Sequence, residues 1–224
     1  MAHIRPKAVV SWSSGKDSAY ALWEILRRRE LDVVALLTTV TRTFSRVSMH
    51  GVRVELLDRQ AESCGLPLRK VEIPSPCPNE VYERAMSTAI SAMRAEGITH
   101  IVFGDLFLQE IREYRESRLA PTGMRPVFPL WGMNTTKLAR SMIECGLTAN
   151  IVCIDPRKLS KDFAGRRFDS RFLQDLPPSV DPCGENGEFH TFVSAGPMFS
   201  RTIPIVVGQT VERDGFVFTD ILPG

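Results

Sequence analysis

The sequence predicts an α/β protein with a doubly wound, five-stranded parallel sheet and a small C-terminal α+β domain. Three observations carry that expectation. A strand-like run followed by a segment of helical spacing occurs three times within about the first hundred residues, the pattern of strands joined by crossover helices. The second run, Val33-Val34-Ala35-Leu36-Leu37-Thr38-Thr39, is continuous rather than alternating, as a strand covered on both faces requires. After Asp155-Pro156 the composition shifts to short helical pieces and a two-strand ending, which divides the chain into residues 1–155 and 156–224.

Size and charge bound the function classes. A chain of 224 residues buries a substantial core, and its 43% apolar and 24% charged residues are those of an ordinary globular protein. A net charge of +2 gives no strong pull toward nucleic acid or an anionic membrane. No apolar run is long enough to span a bilayer, and the start Met1-Ala2-His3-Ile4-Arg5-Pro6-Lys7 lacks the apolar core of a signal peptide, so the expectation is a cytoplasmic protein. The five cysteines (Cys64, Cys77, Cys145, Cys153, Cys183) include no C-x-x-C pair, which argues against a disulfide framework and a four-thiolate zinc site.

In chain order, Ala8 to Trp12 is the first strand and Ser18 to about Arg29 the first helix, its stripe Ala19, Leu22, Trp23 and Leu26 at helical spacing. The second strand, Val33 to Thr39, runs into a polar loop from Thr41 to His50, at the end of the strand where open α/β sheets hold ligands. A helix from about Arg53 to Cys64 stops at Gly65, with Pro67 behind it. Leu68 to Ile73 is the third strand. Asn79 caps a long helix to about Glu96, closed by Gly97. His100 to Phe103 is the fourth strand, left through the turn Gly104-Asp105. Leu108 to Leu119 is helical and charged, Pro121 to Gly132 a loop, Thr135 to Cys145 a helix stopped by Gly146, and Ala149 to Ile154 the fifth strand. Helical pieces at Lys158–Phe163 and Asp169–Leu176 precede a hairpin, Ile203 to Val211 and Phe216 to Thr219, turning at Asp214-Gly215.

Between the first strand and helix lies Ser13-Ser14-Gly15-Lys16-Asp17-Ser18. A strand that turns at once into a helix aims unpaired backbone N–H groups and the positive end of the helix dipole at one spot, which suits an anion. Gly15 lets backbone approach a phosphate, Ser13, Ser14 and Ser18 offer hydroxyls, and Lys16 adds a full charge. The loop is not a Walker loop, because Val10 and Asp17 stand where that pattern needs a glycine and a Ser or Thr. The bland alternative is a Ser/Gly turn that happens to carry a lysine. The segment resembles the SGGxDS signature of the PP-loop ATP pyrophosphatases, with Ser14 where that family usually has its first glycine. The resemblance implies a sheet of the HUP-like, adenine nucleotide alpha hydrolase type, and cleavage of ATP between the α and β phosphates.

The second informative stretch is Asp181-Pro182-Cys183-Gly184-Glu185-Asn186-Gly187-Glu188-Phe189-His190-Thr191. Glycines bracket Glu185, so the backbone is tightly folded, and Glu185, Glu188 and His190 lie close in sequence. Two carboxylates and an imidazole beside flexible turns can orient an amine, coordinate a metal or move a proton. A polar loop entering a strand accounts for them equally well, and a zinc site of Cys183, Glu185 and His190 matches no common spacing. The charged helix is open in the same way: Arg112, Arg115 and Arg118 either lie in a solvated face of i,i+3 and i,i+4 ion pairs or hold phosphate or carboxylate.

The 181–191 stretch is similar to the C-terminal G-E-x-G-E-[FY]-x-T motif of the diphthine-ammonia ligase family, which joins a PP-loop domain to a small substrate domain. The motif order, the Ser48-Met49-His50-Gly51 loop and the Gly104-Asp105 turn also resemble that family, over nearly the whole chain. The resemblance implies ATP binding at Ser13, Ser14, Gly15, Lys16, Asp17, Ser18, Gly104 and Asp105, with Lys16 and Asp17 catalytic. It implies substrate binding at Glu185, Glu188 and His190, to which Arg112 and Arg115 are added as anion-holding candidates. The implied chemistry is attack of an acceptor carboxylate on the α-phosphate, release of pyrophosphate, and displacement of AMP by ammonia, with Mg²⁺ as cofactor and no metal ligands assigned. After the fourth strand the chain has Leu106-Phe107-Leu108-Gln109-Glu110 where eukaryotic and archaeal ligases tend to have a Ser-Asp-Tyr-Gln-Arg type of sequence. It resembles the bacterial branch, which is not expected to make diphthamide, so the acceptor, on a protein or a small molecule, stays open. Met1-Ala2 supplies no N-terminal cysteine and the chain has no room for a glutaminase domain, so free ammonia or a partner is the expected nitrogen source. Sulfur insertion into RNA and a non-catalytic nucleotide sensor remain as alternatives, the former disfavoured by the lack of paired cysteines and of a basic face.

Overall fold

The computed structural model describes residues 5–41, 46–47 and 51–224. Five parallel strands form the first sheet: β1 (Lys7–Ser11), β2 (Asp32–Thr41), β4 (Leu68–Ile73), β5 (Ile98–Val102) and β6 (Arg125–Val127). A two-residue strand, β3 (Arg46–Val47), pairs antiparallel with the end of β2. The spatial order of the parallel strands is β4-β2-β1-β5-β6, so the sheet grows one way from β1 and then the other. The crevice beyond the carboxyl ends of β1 and β5 is therefore its topological switch point.

The helices α1 (Lys16–Arg28), α2 (Val54–Cys64), α3 (Asn79–Ala95) and α4 (Gln109–Leu119) cover the two faces. Alternation along β1 sorts the core. Ala8 and Val10 join Leu36 and Val40 against Leu22, Ile25, Leu56 and Leu57 of α1 and α2, while Val9 joins Ala35, Leu37 and Ile101 against Ile90, Met93 and Leu119 of α3 and α4. Asn79 proves to be the first residue of α3 and Pro78 its cap. Gly65, at φ 67°, closes α2 as expected.

The fifth parallel strand differs from expectation. It is β6, inside the stretch read as a loop, paired to β5 with Pro126 opposite Ile101. Proline cannot donate to a ladder and is confined to edges, and β6 is the edge of its sheet. The apolar run expected in that role forms β7 (Thr148–Ile154), after α5 (Thr135–Glu144), and joins a second sheet of order β8-β7-β10-β9 with β8 (Phe189–Ala195), β9 (Ile205–Arg213) and β10 (Phe216–Pro223). A strand buried on both faces reads alike in either sheet, and β7 pairs antiparallel on both sides. By sheet membership the chain changes over between residues 127 and 148.

A short helix, α6 (Ser170–Asp175), is capped by Asp169, whose carboxylate accepts from the amide of Phe172 at 2.8 Å. The β9–β10 turn puts Asp214 at φ 52° and Gly215 at φ 80°, the left-handed pair a two-residue hairpin needs. The face of the parallel sheet under α1 and α2 is continuous with Ile151, Phe192, Val193 and Val217 of the second sheet, so the two sheets share one core. Of the polar loop expected after β2, Ser48, Met49 and His50 lie outside the described residues.

Candidate active site

The site begins where β1 ends. The chain leaves β1 at Ser11 and turns through residues 12–15 into α1, whose cap is Gly15. Ser14 takes φ 71°, a left-handed conformation unusual for serine, and its fully buried hydroxyl has no hydrogen-bond partner among the described residues. The turn is stitched internally: Ser18 Oγ donates to the carbonyl of Gly15 at 3.0 Å and accepts from the amide of Ser13 at 3.3 Å. The amide of Gly15 meets Ser13 Oγ at 3.4 Å.

Two outside elements grip the turn. From β8, the amide of Val193 donates to the carbonyl of Ser14 at 3.0 Å, and Thr191 Oγ1 accepts from the amide of Lys16 at 3.0 Å. From α2, Gln60 Nε2 donates to the carbonyls of Ser14 (3.1 Å) and Val193 (2.7 Å), while its Oε1 accepts from Trp12 Nε1 at 2.8 Å. The β5–α4 turn presses in from a third side. A Cβ on Gly104 would lie 2.8 Å from the carbonyl carbon of Asp17 and 2.9 Å from the amide of Ser18, so only glycine fits.

Lys16 is 1% exposed and points into the C-terminal half. Its ammonium donates to Asp17 Oδ2 at 2.8 Å and to the carbonyl of Cys183, with the Phe168 and Phe189 rings 5.7 and 5.3 Å away. Burial opposes the charge on Lys16, but the Asp17 carboxylate outweighs it and holds the ammonium's pKa above its ordinary value. We read the pair as ionised. Asp17 Oδ1 is buried and has no partner among the described residues.

The 181–190 segment folds over this pair. Gly184 and Gly187 take φ 69° and 79°, and Asp181 Oδ2 accepts from the amides of Cys183 (3.1 Å) and Glu185 (3.0 Å). Glu185 crosses to the first domain, accepting from the amides of Leu106 (2.7 Å) and Phe107 (3.4 Å). Burial pushes its carboxyl up to about 7 against the pull of the Leu106 amide. Glu188 is committed locally, its Oε1 accepting from the amide of Asp181 (3.0 Å) and Asn186 Nδ2 (3.1 Å). His190 lies on β8 opposite Cys153, and burial, helped by the Lys16 charge, lowers its pKa to about 4. Burial likewise raises the Cys183 thiol far above its usual range. Among the described residues no group of three His, Cys, Asp or Glu is placed to hold a metal ion, so Cys183, Glu185 and His190 make no zinc site.

A cleft of about 470 Å³ opens at the carboxyl ends of β1, β2 and β5, between α3 and α4. Its walls include Ser13, Thr39, Tyr82, Phe103, Tyr114 and Arg115. Of the residues expected from the sequence, the cleft gathers Ser13, Arg115 and Arg118, while Lys16, Asp17 and Glu185 cluster on the side of the loop facing the second sheet. The arginines of α4 are all paired: Arg115 bidentate with Asp105 (2.6 and 3.0 Å) and over the Phe103 ring, Arg118 with Glu83, and Arg112 with Glu116 at 2.7 Å beside the Phe128 and Trp131 rings.

Sequence reasoning missed Gln60 and Thr191. Thr191 was visible as the last residue of the second motif. Gln60 carried a subtler signal, a polar residue inside the buried stripe Leu56, Leu57 and Ala61 of α2.

The chain matches two family models in sequence order: the diphthamide synthase N-terminal domain over residues 6–126 and the diphthamide synthase C-terminal domain over residues 134–220. Human diphthine–ammonia ligase is 23% identical over 230 residues, covering 93% of this chain and 86% of the relative. The mouse diphthine–ammonia ligase is 22% identical over 235 residues with the same coverage. Among solved structures, a predicted tRNA methyltransferase subunit from Methanocaldococcus jannaschii aligns with 65% of this chain and 80% of its own at 15% identity and a TM-score of 0.43. No helix among the described residues is long and apolar enough to cross a membrane. With the loop from one matched domain held by β8 of the other, and both domains present over most of the chain, the protein belongs to the diphthamide synthase family.

Proposed function

We propose that this chain is an ATP-dependent, AMP-forming ligase that adenylates an acceptor carboxylate and transfers it to ammonia. The observation that carries the reading is the position of the Ser13–Ser18 loop, at the sheet's switch point, beside the 470 Å³ cleft and under the 181–190 segment. The cleft has the size and mixed apolar and polar walls of a nucleotide site, and the loop beside it has the donors for a phosphate chain.

An oxygen of the acceptor carboxylate attacks the α-phosphorus, the bond to the bridging oxygen breaks, and pyrophosphate leaves. Ammonia then attacks the acyl carbon, the bond to AMP breaks, and nitrogen sheds a proton. Loop amides and hydroxyls from Ser13 to Ser18 orient the phosphates by electrostatics rather than covalent chemistry. Lys16 must exchange its bond to the Cys183 carbonyl for a phosphate oxygen, so phosphate arrival loosens the hold of the 181–190 segment on the loop. Mg²⁺ fits one feature here, the unpartnered Asp17 Oδ1, in the way such ions combine one or two carboxylates with substrate phosphates. When bound it neutralises charge developing on the phosphates. Glu185, with a pKa near 7, is the group suited to take the proton shed by the attacking amine. His190 stays neutral and Arg115 borders the cleft where acceptor or phosphate enters. Five free cysteines fit a reducing, cytoplasmic setting.

The test is product analysis of ATP labelled at the α and γ positions, with Mg²⁺, ammonium and a desalted cell extract as acceptor source. AMP and pyrophosphate, lost in Lys16→Ala, are the expected products. ADP and phosphate would overturn the adenylation chemistry, and tight ATP binding without cleavage under any acceptor would make the protein a nucleotide sensor.

A further inference from the structure

The buried carboxamide of Gln60 sits outside every motif in the chain, yet it is fully enclosed and all three of its hydrogen bonds go to parts of the candidate site. Its Nε2 reaches the Ser14 carbonyl, which also accepts from the amide of Val193. Two donors thus fix one carbonyl from the α2 and β8 side. The peptide unit is planar and trans, so a carbonyl pinned in one direction aims the amide of the next residue in the opposite one. That next amide belongs to Gly15, and its only hydrogen bond among the described residues is the long contact to Ser13 Oγ at 3.4 Å. The plane is worth fixing because a flip of the Ser14–Gly15 peptide turns ψ of Ser14 and φ of Gly15, and Gly15, at φ -89° and without a Cβ, tolerates either sense.

We infer that Gln60 is a positioning residue for phosphate recognition: by anchoring the Ser14 carbonyl it presents the Gly15 amide to the phosphate chain of the nucleotide. The inference rests on the proposed ATP site. Trp12 Nε1 completes the device, since its bond to Oε1 fixes which end of the carboxamide faces Ser14. The second sheet takes part through Val193, which ties loop geometry to the docking of the C-terminal half.

The test compares Gln60→Met, which keeps the volume and removes the donors, with Leu57→Ala, which weakens the same helix without touching the loop. Binding of ATP and of adenosine is measured by calorimetry on the full chain, with thermal melts to show that both variants fold. The expected result is that Gln60→Met weakens ATP binding by about tenfold or more, the worth of a hydrogen bond to a charged group, and leaves adenosine binding unchanged. Leu57→Ala, with an equal or larger fall in melting temperature, should change neither, and Gln60→Glu should restore part of the ATP affinity as pH falls and the carboxyl regains its proton. Equal weakening of ATP and adenosine by Gln60→Met, or the same ATP loss in Leu57→Ala, overturns the inference. A wild-type chain that binds no ATP overturns the proposed function and this inference with it, an outcome visible before any variant is made.

Discussion

The carboxylate of Glu185, from the C-terminal half, accepts a hydrogen bond from the backbone amide of Leu106 in the β5–α4 turn at 2.7 Å. It is a titratable contact between the two matched domains, and burial places its pKa at about 7. Between about pH 4.5 and 7, folded Glu185 therefore holds a proton that the unfolded chain has lost. Its contribution to stability is full below about 4.5 and disappears as pH rises to about 7.

His190 has the opposite sign. Its folded pKa of about 4 lies below the ordinary 6.5, so its contribution is full above 6.5 and is lost as pH falls toward 4. Across the shared window the two slopes oppose each other. Glu185→Gln should leave the His190 slope exposed, with stability rising between pH 4 and 6.5. At pH 8 the variant should exceed wild type by on the order of 2 kcal/mol, allowing for the partial exposure of Glu185. Urea unfolding at a series of pH values reads both effects, and parallel profiles for the two proteins would refute the assignment.

Lys16 and Asp17 form the most enclosed ion pair at the site, with side chains 2% and 29% exposed. Removing one partner strands the other charge. Lys16→Met should cost about 3 kcal/mol, and pairing it with Asp17→Asn should cost less than the sum of the single changes by on the order of 1–2 kcal/mol. A double-mutant cycle by chemical denaturation measures that coupling. Additive losses would mean that the pair is not ionised.

The legible parts of this fold are those where one local signal decides. β1, β2 and β5 are mainly apolar runs, β4 is a short run bounded by Pro67 and Pro74, and Gly65 and Asp214-Gly215 stand where left-handed backbone is required. β6 is hidden because Pro126 argues against a strand, and only the sheet edge makes it tolerable. β7 is visible as a strand but not as a member of its sheet, since burial on both faces carries no information about direction. Lys16 is legible as important, but its direction is not: the carbonyl of Cys183 and the rings of Phe168 and Phe189 come from more than a hundred residues away. Gln60 shows why a polar residue in an apolar helix stripe merits the question of what it bonds.

Ser14 stands where the resembling loops usually carry glycine, and the structure shows the cost: a left-handed φ of 71° and a buried hydroxyl without a partner among the described residues. Ser14→Gly should relieve both and raise stability by about 1 kcal/mol, after the entropy that glycine adds to the unfolded chain. A rise in the urea midpoint at unchanged slope is the expected observation. A fall would mean that the hydroxyl supports the loop.

Gly104 provides the sharpest steric test, because the atoms it approaches cannot move aside. A methyl group there would sit 2.8–2.9 Å from the Asp17 carbonyl and the Ser18 amide, which are the first turn of α1 and not flexible side-chain ends. Gly104→Ala must therefore displace either the β5–α4 turn or the loop. The first choice pulls Leu106 away from Glu185, and the second shifts Lys16 from Thr191 Oγ1. A stability loss of about 2 kcal/mol is expected, in the range of overpacked interiors. In the proposed ligase the formation of AMP should fall more steeply than that loss alone explains, because both displacements disturb the loop. Unfolding curves and the labelled-ATP assay on one preparation separate the two effects, and full activity at reduced stability would show that the loop tolerates the shift.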